Sequence, residues 1–385
     1  FGTGLGVGLV IDNRLNRGDN SCVETFCLRH KKMPEIIVED GASIRAVKRG
    51  ERHAHFNKLL LDRMEETLGG GGQAMLFQNR RGFAPYVECR ECGWTARCPD
   101  CNVTLTLHKG SGRMVCHYCG HTEPVPAKCP HCRVTEPVPM GFGTEKVEEE
   151  IARVFPEARV ARLDRDSVTS ERAFRQIVEA FARGDDDILV GTQMITKGFD
   201  FGGVELVGVL NADNLLNNPD FRSAERAFQL LMQVAGRAGR AELDGRVMVQ
   251  TYEADDVAIR AAATYNRGMF LRAELPKRKL LGYSPYVRMA NVLLWGADEH
   301  AVATEAELLH AQLAELIRNE VGERWQVLPA VPCVLAKLRN TYRYHIVVKA
   351  PLGDDLSAPL VRLFRARKVN PAVNAAVDID PVDLL

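Results

Sequence analysis

From residue 73 to residue 252, short unbroken apolar runs alternate with stretches whose apolar residues recur every three or four positions. The runs are AMLFQ (74–78), ARVARL (158–163), ILVG (188–191), LVGVL (206–210) and RVMVQTY (246–252). Between them Val147, Ile151, Val154 and Phe155 form one helical stripe, and Phe174, Ile177, Val178 and Phe181 another. Thr144 and Thr169 stand where N-caps are expected. Buried strands alternating with helices predict a parallel α/β sheet, with ligands beyond the carboxyl ends of its strands. After Leu280 the rhythm changes: strand (288–295), helix (299–319), two strands (325–335 and 343–349), helix (355–367), strand (374–379). That β-α-β-β-α-β order predicts a ferredoxin-like α+β domain.

The alternation is broken once, by cysteines. Of eleven cysteines, eight fall in four Cys-x-x-Cys pairs: Cys89/Cys92, Cys98/Cys101, Cys116/Cys119 and Cys129/Cys132. Each pair places two thiolates on one side of a tight knuckle, half of a tetrahedral zinc site, so four pairs supply two structural sites with no position left open for substrate. The inner pairs stand fourteen residues apart, room for the hairpin of a zinc ribbon, which joins 98/101 to 116/119 and leaves the outer pairs to each other. Gly93 and Gly120 suit the knuckles. Iron–sulfur clusters and a redox dithiol are the rival readings. His108, His117, His121 and His131 read as surface residues, and Cys22, Cys27 and Cys333 as free or buried thiols. An all-cysteine zinc site carries about −2 charge.

The remaining bulk properties narrow the class without choosing a function. The 385 residues, 46% hydrophobic, hold enough apolar material for two or three domains. Fifty basic residues balance fifty acidic ones, so a polyanionic partner must be met by local patches. No eighteen-residue apolar run and no leader pattern occurs, which points to the cytoplasm and away from membranes. The chain begins with Phe1 and reads as a fragment. FGTGLGVG (1–8) is glycine-rich but lacks the Lys-Ser/Thr ending of a phosphate-binding loop.

Two patches have the composition of a nucleic-acid surface. Residues 267–290 carry Arg267, Arg272, Lys277, Arg278, Lys279 and Arg288 against the single acid Glu274, interleaved with Phe270, Tyr283 and Tyr286. Residues 336–350 repeat the theme with Lys337, Arg339, Arg343, Lys349, Tyr342 and Tyr344 and no acid. Charge for the backbone and rings for the bases is the recipe for sequence-independent single-strand binding, although solvated faces with inward-turned aromatics share it. Arg80 and Arg81 meet a phosphate or cap a surface turn.

QVAGRAGR (233–240) sets two glycine-flanked arginines three residues apart after an amphipathic stretch, able to donate forked hydrogen bonds to one triphosphate. Alone it equally fits a solvated turn. Upstream, ILVGTQMITKGFDF (188–201) leaves a buried strand for a polar loop in which Thr192 and Gln193 can grip a phosphodiester backbone while Gly198 and Asp200 face a nucleotide. GFGTEKVEEE (141–150) opens a helix with a Gly-Thr turn suited to an anion.

With these motifs the sequence resembles the second RecA-like motor lobe of superfamily 2 helicases, and among them the PriA replication-restart family. The resemblance runs from about Met33 to Leu385 and rests on LFQNRRGFAP, the cysteine pairs, GTQMITKGFDF, FRSAERAFQLLMQVAGRAGR, LGYSPY and KLRNTYRYHIVVKA. It implies an ATP-dependent 3′-5′ DNA helicase that works at stalled forks and D-loops and starts assembly of a primosome to reload the replicative helicase. Zn2+, ATP and Mg2+ are the implied cofactors; forked and single-stranded DNA, single-stranded-DNA-binding protein, other primosomal proteins and the replicative helicase are the implied partners. Gln233, Arg237 and Arg240 match the sixth motif, whose arginines sense the γ-phosphate. Thr192, Lys197, Gly198 and Asp200 match the fifth, which couples DNA to ATP. Gly143, Thr144 and Glu145 match the fourth.

The departures matter as much. No Gly-x-x-x-x-Gly-Lys-Ser/Thr, Asp-Glu-x-His or Gly-Ser-Ala-Thr occurs, so most of the first lobe is missing, and only VETF (23–26) resembles the residues just beyond the third motif. The expected organisation is a first-lobe remnant or linker (1–50), the second lobe (51–86 and 140–265), an inserted two-zinc ribbon module (87–139) and a C-terminal DNA-binding domain (266–385). DNA contacts are expected from Thr144, Thr192, Gln193, Lys197, Arg272, Lys277, Arg278 and Tyr283. A non-catalytic zinc-containing adaptor and an RNA remodeller are the competing functions.

Overall fold

The computed structural model describes residues 9–11, 14–16, 35–40, 56–78, 86–89, 92–101, 103–108, 112–134, 137–139, 144–164, 167–168, 170–196, 201–238, 245–338, 340–366 and 370–384. The lobe is built on β1 (Glu35–Asp40), β2 (Gln73–Phe77), β3 (Val160–Leu163), β4 (Ile188–Gly191), β5 (Val204–Val209) and β6 (Arg246–Thr251), in the order β3-β4-β2-β5-β6-β1. Every neighbouring pair is parallel. The apolar runs are continuous because both faces of the sheet are covered. Ala74 and Leu76 pack on one side with Leu60, Met64, Val147 and Ile151, while Met75 and Phe77 pack on the other with Phe181, Phe228 and Leu231.

Those layers come from α1 (Lys58–Gly69), α2 (Thr144–Val154) and α3 (Glu171–Arg183), then α4 (Asp213–Leu216), α5 (Ser223–Ala235) and α6 (Val257–Ala263). Ser170, one residue after the expected cap at Thr169, caps α3 by accepting from the Ala173 amide at 3.2 Å. Thr169 itself lies outside the described residues. Two boundaries move. β1, placed by sequence in a first-lobe remnant or linker, lies in register along β6 and completes this sheet. Similarly α7 (Arg267–Leu281), assigned to the C-terminal domain, sends Phe270 into the lobe core, where it stacks on Phe228 with ring centroids 4.9 Å apart.

The zinc module springs from the carboxyl end of β2. Val87–Glu88 pairs antiparallel with Val138–Pro139 at its base, and Thr106–His108, Arg113–Val115 and Thr122–Pro124 make a three-stranded antiparallel sheet. Beyond α7 come β7 (Val287–Gly296), α8 (Glu299–Glu320), β8 (Gln326–Val327), β9 (Val331–Leu338), β10 (Thr341–Pro351), α9 (Ser357–Ala366) and β11 (Val373–Ile379). β11 lies beside β7, β7 beside β10, and β8 and β9 both along β10, all antiparallel. This is the ferredoxin-like arrangement, with its second strand split in two, and α8 and α9 fill one face. Among the described residues no helix is long and apolar enough to cross a membrane.

Candidate functional site

The cysteines gather in two clusters, Cys89/Cys92/Cys129/Cys132 and Cys98/Cys101/Cys116/Cys119, with the sulfurs of each within 4.8 Å of one another. Sulfurs at the corners of a tetrahedron around zinc stand ~3.8 Å apart, given Zn–S bonds of ~2.3 Å. Here Cys89–Cys132 is 3.5 Å, and Cys92–Cys129 and Cys98–Cys119 are 3.6 Å, so both clusters suit zinc. The knuckle glycines have the conformation the turns demand: Gly93 at φ +73° and Gly120 at φ +78°. A Cβ on Gly93 would also stand 2.5 Å from Cβ of Tyr252, so that knuckle is pressed onto the lobe.

The inner site belongs to a shared core. Cys98, Cys101, Cys116, Leu105, Met114 and Tyr118 pack with Tyr283, Met289, Val347 and Leu384, so the ribbon fills part of the open face of the ferredoxin-like sheet. Its histidine is no surface residue: His117 is 1% exposed. Its Nδ1–H donates to the Pro332 carbonyl at 2.6 Å, and its own carbonyl accepts from His345 Nε2 at 2.6 Å. His108 Nε2 lies 3.1 Å from His117 Nε2. Burial pushes His117 down to about 4, so it stays neutral.

Because the lobe's strands run parallel, the segments after them crowd one edge. Thr192 and the short 3-10 turn Gln193–Thr196 follow β4 there; Thr192 is buried. Asp164 follows β3 and accepts from the Thr144 hydroxyl. Thr144 is fully buried, so it braces the start of α2 and is withdrawn as a DNA contact. Asp213 follows β5 and ties this edge together, accepting from Thr251 Oγ1 at 2.7 Å and from the Tyr252 and Glu253 amides. Gln233 is half-buried near the end of α5, and Arg237 just beyond it is 4% exposed, which rules out the solvated turn. Lys197, Gly198, Asp200 and Arg240 lie outside the described residues, as do Arg80, Arg81 and Gly143.

The first basic patch divides. Arg272, Lys277 and Lys279 are exposed on α7. Arg278 and Tyr283, expected on DNA, are instead interior. Arg278 pairs with Glu274 at 2.9 Å and with Glu225 of α5 at 2.8 Å. Tyr283 stacks on Phe221 at 4.6 Å and donates to the Cys101 carbonyl, with the Lys349 ammonium over its ring. The alternation of charge and ring is that of an interface joining lobe, ribbon and C-terminal domain. Composition could not separate the two uses. Phe221 and Glu225 were missed because their partners are more than fifty residues away in sequence. Arg278→Ala is therefore expected to lower stability by about 3 kcal/mol, by stranding two carboxylates, without changing the salt dependence of DNA binding. Arg272→Ala and Lys277→Ala are expected to do the reverse. Thermal melts and salt titrations distinguish them.

Beside this junction opens a crevice of about 280 Å³ lined by Arg97, Asp220, Glu253, Lys277 and Arg278, among others. Burial raises Glu253 to about 7, outweighing the pull of Arg97, with Asp213 and Asp256 raising it further. The folded carboxyl thus keeps a proton that the unfolded chain sheds near pH 4.5. Its stabilisation is complete below that pH and is lost as pH climbs through 7, roughly 3 kcal/mol at most. Melting temperature should fall between pH 5 and 8, and Glu253→Gln should flatten the slope; an unchanged slope would remove this group from the account.

Three family models match the chain: "Helicase conserved C-terminal domain" over residues 142–242, "PriA DNA helicase Cys-rich region (CRR) domain" over 98–124, and "Primosomal protein N C-terminal domain" over 279–382. Among curated relatives, replication restart protein PriA of Bacillus subtilis is 38% identical over 357 residues, 92% of this chain and 44% of that protein. The Synechocystis protein of the same name is 36% identical over 93% of this chain and 42% of its own length. That of Treponema pallidum is 39% identical over 85% and 49%. The chain spans a little under half the length of these relatives.

Proposed function

The chain belongs to the PriA family of replication restart proteins, and from that premise we propose that it supplies the second motor lobe, zinc module and C-terminal domain of an ATP-dependent 3′-5′ DNA helicase. In this reading the enzyme works in the cytoplasm on stalled forks and D-loops. It initiates primosome assembly, meeting single-stranded-DNA-binding protein, other primosomal proteins and the replicative helicase. ATP and Mg2+ sit between this lobe and a first lobe that carries the phosphate-binding loop. Gln233, Arg237 and Arg240 approach the triphosphate, Gly198 and Asp200 the nucleotide. Thr192, Gln193 and Lys197 follow the DNA backbone, while Arg272 and Lys277 extend the track along α7.

The observation that carries this reading is one of placement. The zinc module leaves the sheet at the carboxyl end of β2, the same edge at which β4 delivers Thr192 and Gln193. A strand gripped by that turn would therefore run toward the module, where a wedge or partner dock belongs. The test is ATP hydrolysis by the polypeptide joined to a first lobe, stimulated by forked DNA or by structured RNA. Stronger stimulation by forked DNA is expected. Stronger stimulation by RNA rejects the assignment.

A further inference from the structure

The zinc ribbon covers only part of the open face of the ferredoxin-like sheet. Met289 on β7 and Val347 on β10 pack beneath it. Further along the same face of β7 come Leu293 and Trp295, both half-buried, and neither belongs to an apolar cluster, although Val292 and Leu294 between and beside them are fully buried on the helix side. β11 tells the same story at the sheet edge. Val373, Ala375, Val377 and Ile379 face the helices, while Asn374, Ala376 and Asp378 are exposed. The β7–β11 half of this face is open to solvent.

The open strip has a particular chemistry. Trp295 stands directly opposite Arg343 on β10 and opposite Asn374 on β11, so indole, guanidinium and carboxamide share one rung across three strands. Arg343 has no ion-pair partner among the described residues, and the Trp295 indole N–H has no hydrogen-bond partner among them. Leu293 and Ala376 form the next rung, with His345 across β10. The acid on this face, Asp378, lies one rung further, opposite Asn291.

β7 and β10 are the two central strands of a β-α-β-β-α-β sheet. On such a sheet an aromatic ring with cationic and amide neighbours can stack an unpaired base and hold its phosphate, whereas a base inside a duplex offers no free face. We propose that Trp295, Arg343 and Asn374 form a base-stacking subsite for single-stranded DNA. Trp295 supplies the platform, Arg343 neutralises a phosphate and Asn374 meets the base edge. Asp378 repels the backbone, so the strand leaves on the Arg343 side. This subsite rests on the reading that the chain binds DNA, and it adds a contact separate from the exposed cations of α7.

The experiment uses the 385-residue chain and a short fluorescein-labelled oligothymidylate, followed by anisotropy across a salt series. Trp295→Ala should weaken binding about tenfold with no change in salt dependence, and Trp295→Phe should restore most of the affinity. Arg343→Ala should lower the salt slope by about one contact. Intrinsic fluorescence gives a second readout that needs no truncated side chain: oligothymidylate should quench wild type, and Trp295→Phe should abolish that quenching. Unchanged affinity in Trp295→Ala, or quenching that persists in Trp295→Phe, overturns the subsite while leaving DNA binding intact. Failure of the wild-type chain to bind the oligonucleotide would overturn both this subsite and the DNA reading beneath it.

Discussion

Chelation of zinc is expected to unseat the C-terminal domain as well as disorder residues 89–132. The inner cluster is a structural member of a core that also contains Tyr283, Met289, Val347 and Leu384. Tyr283 donates to the carbonyl of Cys101, and His117, next to Cys116, is hydrogen-bonded to Pro332 and His345. Structural zinc sites contribute roughly 10–16 kcal/mol in isolated finger peptides, comparable to the roughly 5–15 kcal/mol that stabilises a whole domain. Losing the ion leaves a cluster of thiols and an uncovered sheet face. Hydrogen exchange should therefore accelerate at 283–289 and 345–347 together with 89–132, while β2, β4 and β5 stay protected under the lobe's own two cores. Exchange confined to 89–132 would mean that the ribbon is an appendage.

Arg240→Ala, in a polypeptide that includes a first lobe, is expected to reduce ATP hydrolysis and strand displacement by about 10³-fold or more, the scale on which an arginine finger acts. DNA affinity should hardly move. Arg240 is the better choice of the two arginines, since Arg237 is buried and its removal would also disturb the end of α5. α5 is itself gripped at its beginning. Arg222 and Arg226 donate to the Val382 carbonyl, and Glu225 holds Arg278. The helix that ends at the arginine motif thus starts in the C-terminal domain's grasp, a direct mechanical route from that domain to the motif. An equally large loss of DNA affinity in Arg240→Ala would place that side chain on the strand instead.

Periodicity was informative wherever burial was two-sided. Five of the six sheet strands read as continuous apolar runs because helices cover both faces, and the ferredoxin-like order emerged from spacing alone. β1 escaped notice because EIIVED is short, acid-flanked and at the sheet edge, where one partner strand suffices. The cysteine pairing was legible because metal geometry constrains spacing. Charge was less so. Arg278 and Tyr283 have the same local composition as Arg272 and Lys277, and only the distant Glu225, Phe221 and Cys101 carbonyl decide that they point inward. Trp295 went unremarked for the opposite reason: a tryptophan in a hydrophobic strand reads as core, and its lack of a covering partner is visible only in the sheet.

The most direct test of the central claim, that this chain is half of a DNA motor and not an adaptor, is strand displacement on a forked duplex. The polypeptide assayed carries a phosphate-binding lobe ahead of residue 1. Displacement is expected to require hydrolysable ATP and to disappear with Arg240→Ala. Tight fork binding with no ATP-dependent displacement would contradict that claim.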